Sequence, residues 1–356
     1  MKTNGKRYAW VDDARLLAML LVLIGHSHYY TIMTPYGGIE YVNKSDEKSL
    51  MFQVIFLLVE FIYTFHMPLF MGISGYCFSL SRKRSFIELF KQKFWRLIVP
   101  FLVVSVFYSI PIRYVIGYWN GSSDIVRDIL LGQFLLMGNT HLWFVMSLFW
   151  IFIICHFINR VESKLGRWII VFVLHLIGVM YLQYNGTNIL GIPMGLKFLL
   201  YFFLGFNYME SVREYYNRYK LIPCVLCFIG LFVISSAWQF FIRFFDFPGL
   251  IVATLFYSII MAIAGCILFL RMCETWGGRF SKIHILRDNT FELYLYSDPI
   301  NYLIIYVSYE LLGKEIFSNS FLSISMFVLR FILSTIVAIL IIQLVKVSKI
   351  KKLKML

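Results

Sequence analysis

Ten long apolar runs, almost free of charge, divide this sequence and leave it one kind of solvent. They lie near 11–33, 52–80, 95–118, 141–158, 167–184, 193–210, 221–242, 249–272, 290–312 and 321–346. A helix needs roughly 20 mostly apolar residues to cross a bilayer. In hydrocarbon each backbone polar group must be satisfied within the chain, so runs of this length read as helices. A further apolar piece, 125–138, is too short to span and reads as interfacial or re-entrant. Composition agrees: 60% of residues are hydrophobic and 15% charged, against about 45–50% and 25% in soluble domains. The expected fold is an all-α integral membrane protein with about ten transmembrane helices, forming a single domain over 1–356.

The net charge of +14 raises the question of nucleic acid, but the basic residues sit in short clusters between apolar runs. That is how a membrane protein marks its cytoplasmic loops, so nucleic-acid binding is not expected. With the amino terminus inside and the chain alternating, inside segments collect 24 of the 33 Lys and Arg and outside segments six. This bias predicts two cytoplasmic termini. Lys2, Lys6 and Arg7 followed by an apolar stretch imitate a signal peptide, but no small-residue cleavage site follows, so the stretch reads as a retained first helix. Cys224 and Cys227 have the spacing of a metal pair without a second pair, so the sequence predicts neither a metal nor a disulfide framework.

Ionisable residues within a spanning helix are costly and are functional candidates by default. The first helix carries Asp12, Arg15 and His26. Eleven steps of about 100° return His26 to within roughly 20° of Arg15, about 16 Å further along the axis. Asp12, three residues before Arg15, shares that face and can pair with the guanidinium. The stripe reads as a polar track with Arg15 gripping an anion and His26 acting as a base. His28 points elsewhere. In the second helix Glu60 and His66 precede Pro68, Gly72, Ser74 and Gly75, the marks of a cavity wall. Arg82, Arg84, Lys93 and Arg96 form the most basic loop; the positive-inside rule accounts for such a cluster, and a cradle for a phosphorylated ligand is the alternative. His141 and Trp143 open the fourth helix, and the ninth contains Asp298-Pro299, a break with a charge in it. His156, His175, Lys197 and Arg330 read as structural or interfacial, and Arg113 as a loop margin.

These pieces occur in an order with a family likeness. Asp12-x-x-Arg15-x10-His26, Phe65-His66-Met67-Pro68-Leu69-Phe70-Met71-Gly72-Ile73-Ser74-Gly75-Tyr76, Lys93-x-x-Arg96-Leu97-x-x-Pro100 and Leu142-Trp143-Phe144 together resemble the acyltransferase-3 family of bacterial membrane acyltransferases, in the form seen in fucose 4-O-acetylase-like members. One departure is Ser297, where that family's ninth-helix segment often has His; the Asp-Pro pair is kept. The resemblance implies transfer of an acyl group, usually acetyl from acetyl-CoA, to a hydroxyl of a cell-surface or lipid-linked sugar. It implies catalysis at His26 with Arg15 and Asp12, donor binding by Arg82, Arg84, Lys93 and Arg96, and a cavity lined by Glu60, His66, Ser74, His141, Trp143 and Asp298. A transporter or flippase for lipid-linked sugar is the competing class, but the inverted repeats of such proteins are not seen.

Overall fold

The computed structural model describes residues 8–28, 31–34, 37–40, 47–81, 84–138, 140–245 and 249–354. Among them ten helices have 16 residues or more: α1 (Ala9–Ser27), α2 (Leu50–Ser79), α3 (Phe86–Val115), α5 (Trp143–Ile158), α6 (Lys164–Asn185), α7 (Ile192–Tyr216), α8 (Leu221–Phe244), α9 (Leu250–Thr275), α10 (Thr290–Leu312) and α11 (Ser320–Lys354). Between α3 and α5 the segment expected to be interfacial forms a short helix, α4 (Ile125–Ile129), that runs on into a π-helical turn at Leu130–Phe134.

Seven of the long helices, α2, α3, α6, α7, α8, α9 and α11, are long and apolar enough to cross a membrane. The other three are α1, with Asp12, Asp13 and Arg15, the 16-residue α5, and α10, which bears Glu292 and Asp298. Outward faces are apolar, as with Ile222, Leu226, Ile229 and Val233 on α8. Water would not tolerate so large a patch, whereas lipid accepts it.

Four helix ends differ from the sequence reading by six residues or more: α7, expected to end near 210, reaches Tyr216, and α11, expected to end near 346, reaches Lys354; the other two have a local cause. The first helix, expected to reach 33, ends at Ser27, and Thr31–Thr34 pairs antiparallel with Gly37–Glu40 as a hairpin, β1 and β2. Thr and Ile favour extended backbone, and Gly37 and Gly38 lie in the ladder opposite Thr34 and Met33. The third helix, expected from 95, begins at Phe86, where Ser85 and Glu88 form a capping box. Counting apolar residues misses that polar first turn.

Consecutive long helices alternate in direction. At one end, here the near end, Trp10 of α1 meets Tyr76 of α2, Phe86 of α3 meets Phe157 of α5, and Arg213 of α7 pairs with Glu274 of α9. At the far end Phe52 packs on His28 and Phe317. The closest helix pair is α2 with α7. At Gly75 and Gly205 there is no room for a Cβ, because the Phe202 and Gly72 carbonyls occupy its place. Small residues that admit such close approach are the common glue of helices in lipid.

Helix α3 contains two π-helical stretches, Phe94–Ile98 and Ser105–Ser109. Each precedes a proline by two residues, Pro100 and Pro111. A proline cannot donate to the carbonyl four residues back and crowds it, and a π turn is one way to absorb the mismatch. The extra residues in turn keep Leu97, Phe101, Ser105, Ser109 and Arg113, spaced by four, buried on one face. Arg113 is thus a core residue, 2% exposed, and not the loop margin that its charge suggested.

Candidate active site

Two contacts set the register of α1 against α10. Near its start, the Arg15 Nη2 donates to Thr290 Oγ1 at 3.0 Å. Eleven residues on along α1 and eight along α10, His26 Nδ1 lies 2.9 Å from Asp298 Oδ1. Those steps are about 16 and 12 Å of helix, so the stripe joining Arg15 to His26 runs alongside α10. Asp12 Oδ1 sits 3.9 Å from Arg15 Nη1, as the i,i+3 spacing required.

A second imidazole completes the group. His141 Nδ1 is 3.1 Å from Asp298 Oδ2, so one carboxylate bridges two histidines. Pro299 explains how His141 comes to be there. Lacking an N–H, it leaves the Leu295 carbonyl without its helical donor, and His141 Nε2 lies 3.2 Å from that oxygen. Tyr294 donates its hydroxyl to the His141 carbonyl, pinning the approach to α5. His141 therefore has an acceptor at each ring nitrogen. Asp298 and His141 are almost wholly buried, at 1% and 2% of their side chains, while His26 keeps 14%. At the back of His26, Arg330 of α11 donates to its carbonyl at 3.2 Å. Arg330 is fully buried, and the sequence reading had treated it as isolated.

A cavity of about 150 Å³ lies on the near-end side of this group, whose three members are not in its wall. Its wall includes Arg15, Arg84, Lys93 and Arg96, with no acidic residue. Lys93 is buried, its Nζ 3.2 Å from the centre of the Phe152 ring and 5.5 Å from that of Phe78. Such a cation–π seat holds an ammonium in an otherwise apolar wall. Arg96 is exposed at the mouth. Deeper in, the wall is Val22, Met67, Phe144 and Tyr294. Val22 stands one turn before His26, Tyr294 one turn before Asp298, and Phe144 three residues after His141, so the cavity ends about one helical turn from all three.

Of the residues expected from sequence, Arg15, Ser74, Arg84, Lys93 and Arg96 line the cavity together, and His26, His141 and Asp298 meet beyond its inner end. Arg82 lies outside the described residues. Glu60, His66 and Trp143, expected in the cavity wall, are not part of it. Glu60 accepts from Gln239 Nε2 of α8 at 3.1 Å, seven residues before the cavity-lining Met67. His66 is buried against Tyr63, its Nδ1 2.9 Å from the Ile62 carbonyl one turn back. Trp143 stacks on Phe198. His28 packs on Phe52 and Phe56, off the stripe. Thr290, Arg113 and Arg330 gave no signal in the sequence beyond residue type.

Among the described residues no group of three or more His, Cys, Asp or Glu could hold a metal ion, and all six cysteines are free. Chemically, the site offers a carboxylate that fixes the tautomer and orientation of an imidazole, and a cationic channel that ends beside it. The orienting pair of a general base is of this kind. No curated protein and no solved structure matches the chain. A family model does: the acyltransferase domain aligns over residues 8–343, so the protein whose α1, α5 and α10 build this histidine–aspartate–histidine group belongs to the acyltransferase-3 family.

Proposed function

We propose that the protein is a membrane O-acyltransferase that takes acetyl from acetyl-CoA and places it on a hydroxyl of a cell-surface or lipid-linked glycan. The observation that carries this reading is the cavity: Arg15, Arg84, Lys93 and Arg96 in one wall without a carboxylate, with the His26–Asp298 pair about one helical turn beyond its inner end. Coenzyme A is a long, slender molecule with phosphates at one end and a thioester at the other. Arginine and lysine are suited to the phosphates, and the apolar inner wall to the pantetheine arm.

In this scheme Asp298 holds the His26 Nδ1–H, leaving Nε2 to accept a proton. The acceptor hydroxyl gives its proton to Nε2 as its oxygen attacks the thioester carbonyl. The tetrahedral intermediate collapses, the C–S bond breaks, and the thiolate of coenzyme A takes the proton from His26. An imidazole can accept a proton in one step and return it in the next, so one side chain serves as base and then as acid. The ten long helices would all cross the membrane, with both termini and the cavity mouth in the cytoplasm of a bacterial cell, where acetyl-CoA is found. The excess of Lys and Arg in the near-end segments supports that orientation.

The test is transfer by purified protein in detergent, with labelled acetyl-CoA as donor. His26→Ala should lose on the order of 10²–10⁴-fold in rate while keeping its thermal stability, and His28→Ala should retain most activity. Equal activity in His26→Ala and the parent would refute the assignment.

A further inference from the structure

Beyond Asp298, away from the donor cavity, lies a buried polar layer that the donor side does not use. Asn301 of α10 is 0% exposed, and neither its amide oxygen nor its amide nitrogen finds a hydrogen-bond partner among the described residues. Ser297, four residues earlier and 1% exposed, is in the same condition, as is Ser109 of α3 at 0%. A buried polar group without a partner costs about 1–3 kcal/mol, and native proteins carry few of them. Ser297 and Asn301, spaced by four, lie on one face of α10. The Tyr108 hydroxyl donates to the Tyr296 carbonyl at 2.8 Å, which brings the second π stretch of α3 against α10 at this level. Arg113 donates to Gln133 Oε1 at 3.1 Å, Gln133 to Ser105 Oγ at 2.9 Å, and Arg330 to the His26 carbonyl.

Asn301 follows Asp298 by three residues, so the two side chains stand on one face about 5–6 Å apart. An amide offers a donor and an acceptor side by side. A single hydroxyl can use only part of that pair; two neighbouring sugar hydroxyls match both halves. We infer that the polar layer around α10 beyond Asp298 is the acceptor subsite, and that Asn301 holds the hydroxyl next to the one being acylated, so that the enzyme selects a vicinal diol. This inference rests on the glycan-acyltransferase reading above. It explains why α10 keeps Asn301 and Ser297 unsatisfied: the substrate supplies what the fold withholds.

The experiment pairs Asn301→Leu and Asn301→Ala with methyl glycosides and their single-deoxy analogues as acceptors, [¹⁴C]acetyl-CoA as donor, in purified protein. For the parent, removing the hydroxyl beside the acylated one should cost tenfold or more in kcat/KM. A site built to hydrogen-bond a hydroxyl discriminates strongly against its absence. In both variants the intact glycoside should fall to the level of the deoxy analogue, with no further loss for the analogue. Donor KM should be unchanged, because Asn301 is not in the donor cavity wall, and any hydrolysis of acetyl-CoA without acceptor is followed alongside. The melting temperature should hold or rise by about 2–4 °C, because an unsatisfied amide has been removed. The inference is overturned if the variants discriminate as the parent does, or if both lose stability and hydrolysis together, the signature of a structural amide. A parent that hydrolyses acetyl-CoA yet acylates no glycoside would overturn the glycan reading itself, and this inference with it. Normal acylation of glycosides without coupling to Asn301 would remove this inference alone.

Discussion

At the scale of single residues the site depends on one carboxylate serving two imidazoles. Asp298 contacts His26 and His141 at 2.9 and 3.1 Å from within the core. Asp298→Asn keeps the shape and loses the acceptor on one side. Its amide nitrogen, turned toward His26, would favour the tautomer with hydrogen on Nε2, which cannot act as a base. The expected result is a fall in kcat on the order of a hundredfold or more in a protein that still folds, with donor KM little altered. Turnover assays on the purified variant check it. Arg15 offers a second contrast. Arg15→Lys keeps the charge in the cavity but loses the planar fork that reaches Asp12 and Thr290. A several-fold rise in donor KM is expected; an unchanged KM would mean that the charge alone suffices.

At the scale of elements, prolines and glycines set the geometry. Pro299 frees the Leu295 carbonyl for His141, and Pro100 and Pro111 accompany the π turns of α3. Glycines set the α2–α7 contact, and the consequence there is selective. Gly75→Ala and Gly205→Ala have no room and should lower the melting temperature markedly, since overpacking costs about 1–3 kcal/mol. Gly72→Ala should be tolerated, because a Cβ there would meet its nearest neighbour, the Tyr201 carbonyl, at 3.6 Å. Thermal unfolding of the three variants in detergent measures the difference. The sequence made these elements legible where hydrophobicity alone decided, from α5 to α11, most ends falling within three residues and the polar last turns of α7 and α11 being missed. It failed where polar capping or strand propensity intervened, at Ser85 and after Ser27. On the site, helical periodicity placed Arg15 and His26 on one stripe, and the Asp298-Pro299 pair stood out as a charge at a break. Periodicity within one helix carries no information on which helix lies opposite. The partnership of His26 with Asp298, the arrival of His141, and the backing by Arg330 were for that reason not legible.

At the scale of the whole molecule buried ionisable residues gather on α1 and α10 without being confined to them, since α2, α3 and α11 bring His66, Arg113 and Arg330. The helices apolar enough to span by themselves form most of the bundle, while α1 and α10 carry Asp12, Asp13, Arg15, His26, Glu292 and Asp298. Such helices are costly in lipid unless neighbours cover them, and Asp298, His141 and Arg330 are covered almost completely. The proposed topology places the cavity mouth inside the cell. In a background with the native cysteines replaced, Ser85→Cys should resist a membrane-impermeant maleimide in intact cells and react once the cells are opened. Asn185→Cys, at the other end of the bundle, should react in both. Labelling of Ser85→Cys from outside would invert the arrangement and separate the cavity from cytoplasmic donors.

The central claim is that the cationic cavity and the histidine–aspartate–histidine group are two parts of one acyl-transfer site. Release of free coenzyme A thiol from acetyl-CoA, followed over a range of donor concentrations in purified protein, tests it most directly. Charge removal at the wall, in the Lys93→Gln/Arg96→Gln double variant, should raise KM about tenfold or more and leave kcat near that of the parent. His26→Ala should lower kcat by about 10²–10⁴-fold and leave KM near that of the parent. The claim is contradicted if acetyl-CoA is not turned over by the parent, or if the double variant keeps the parental KM while His26→Ala keeps the parental kcat.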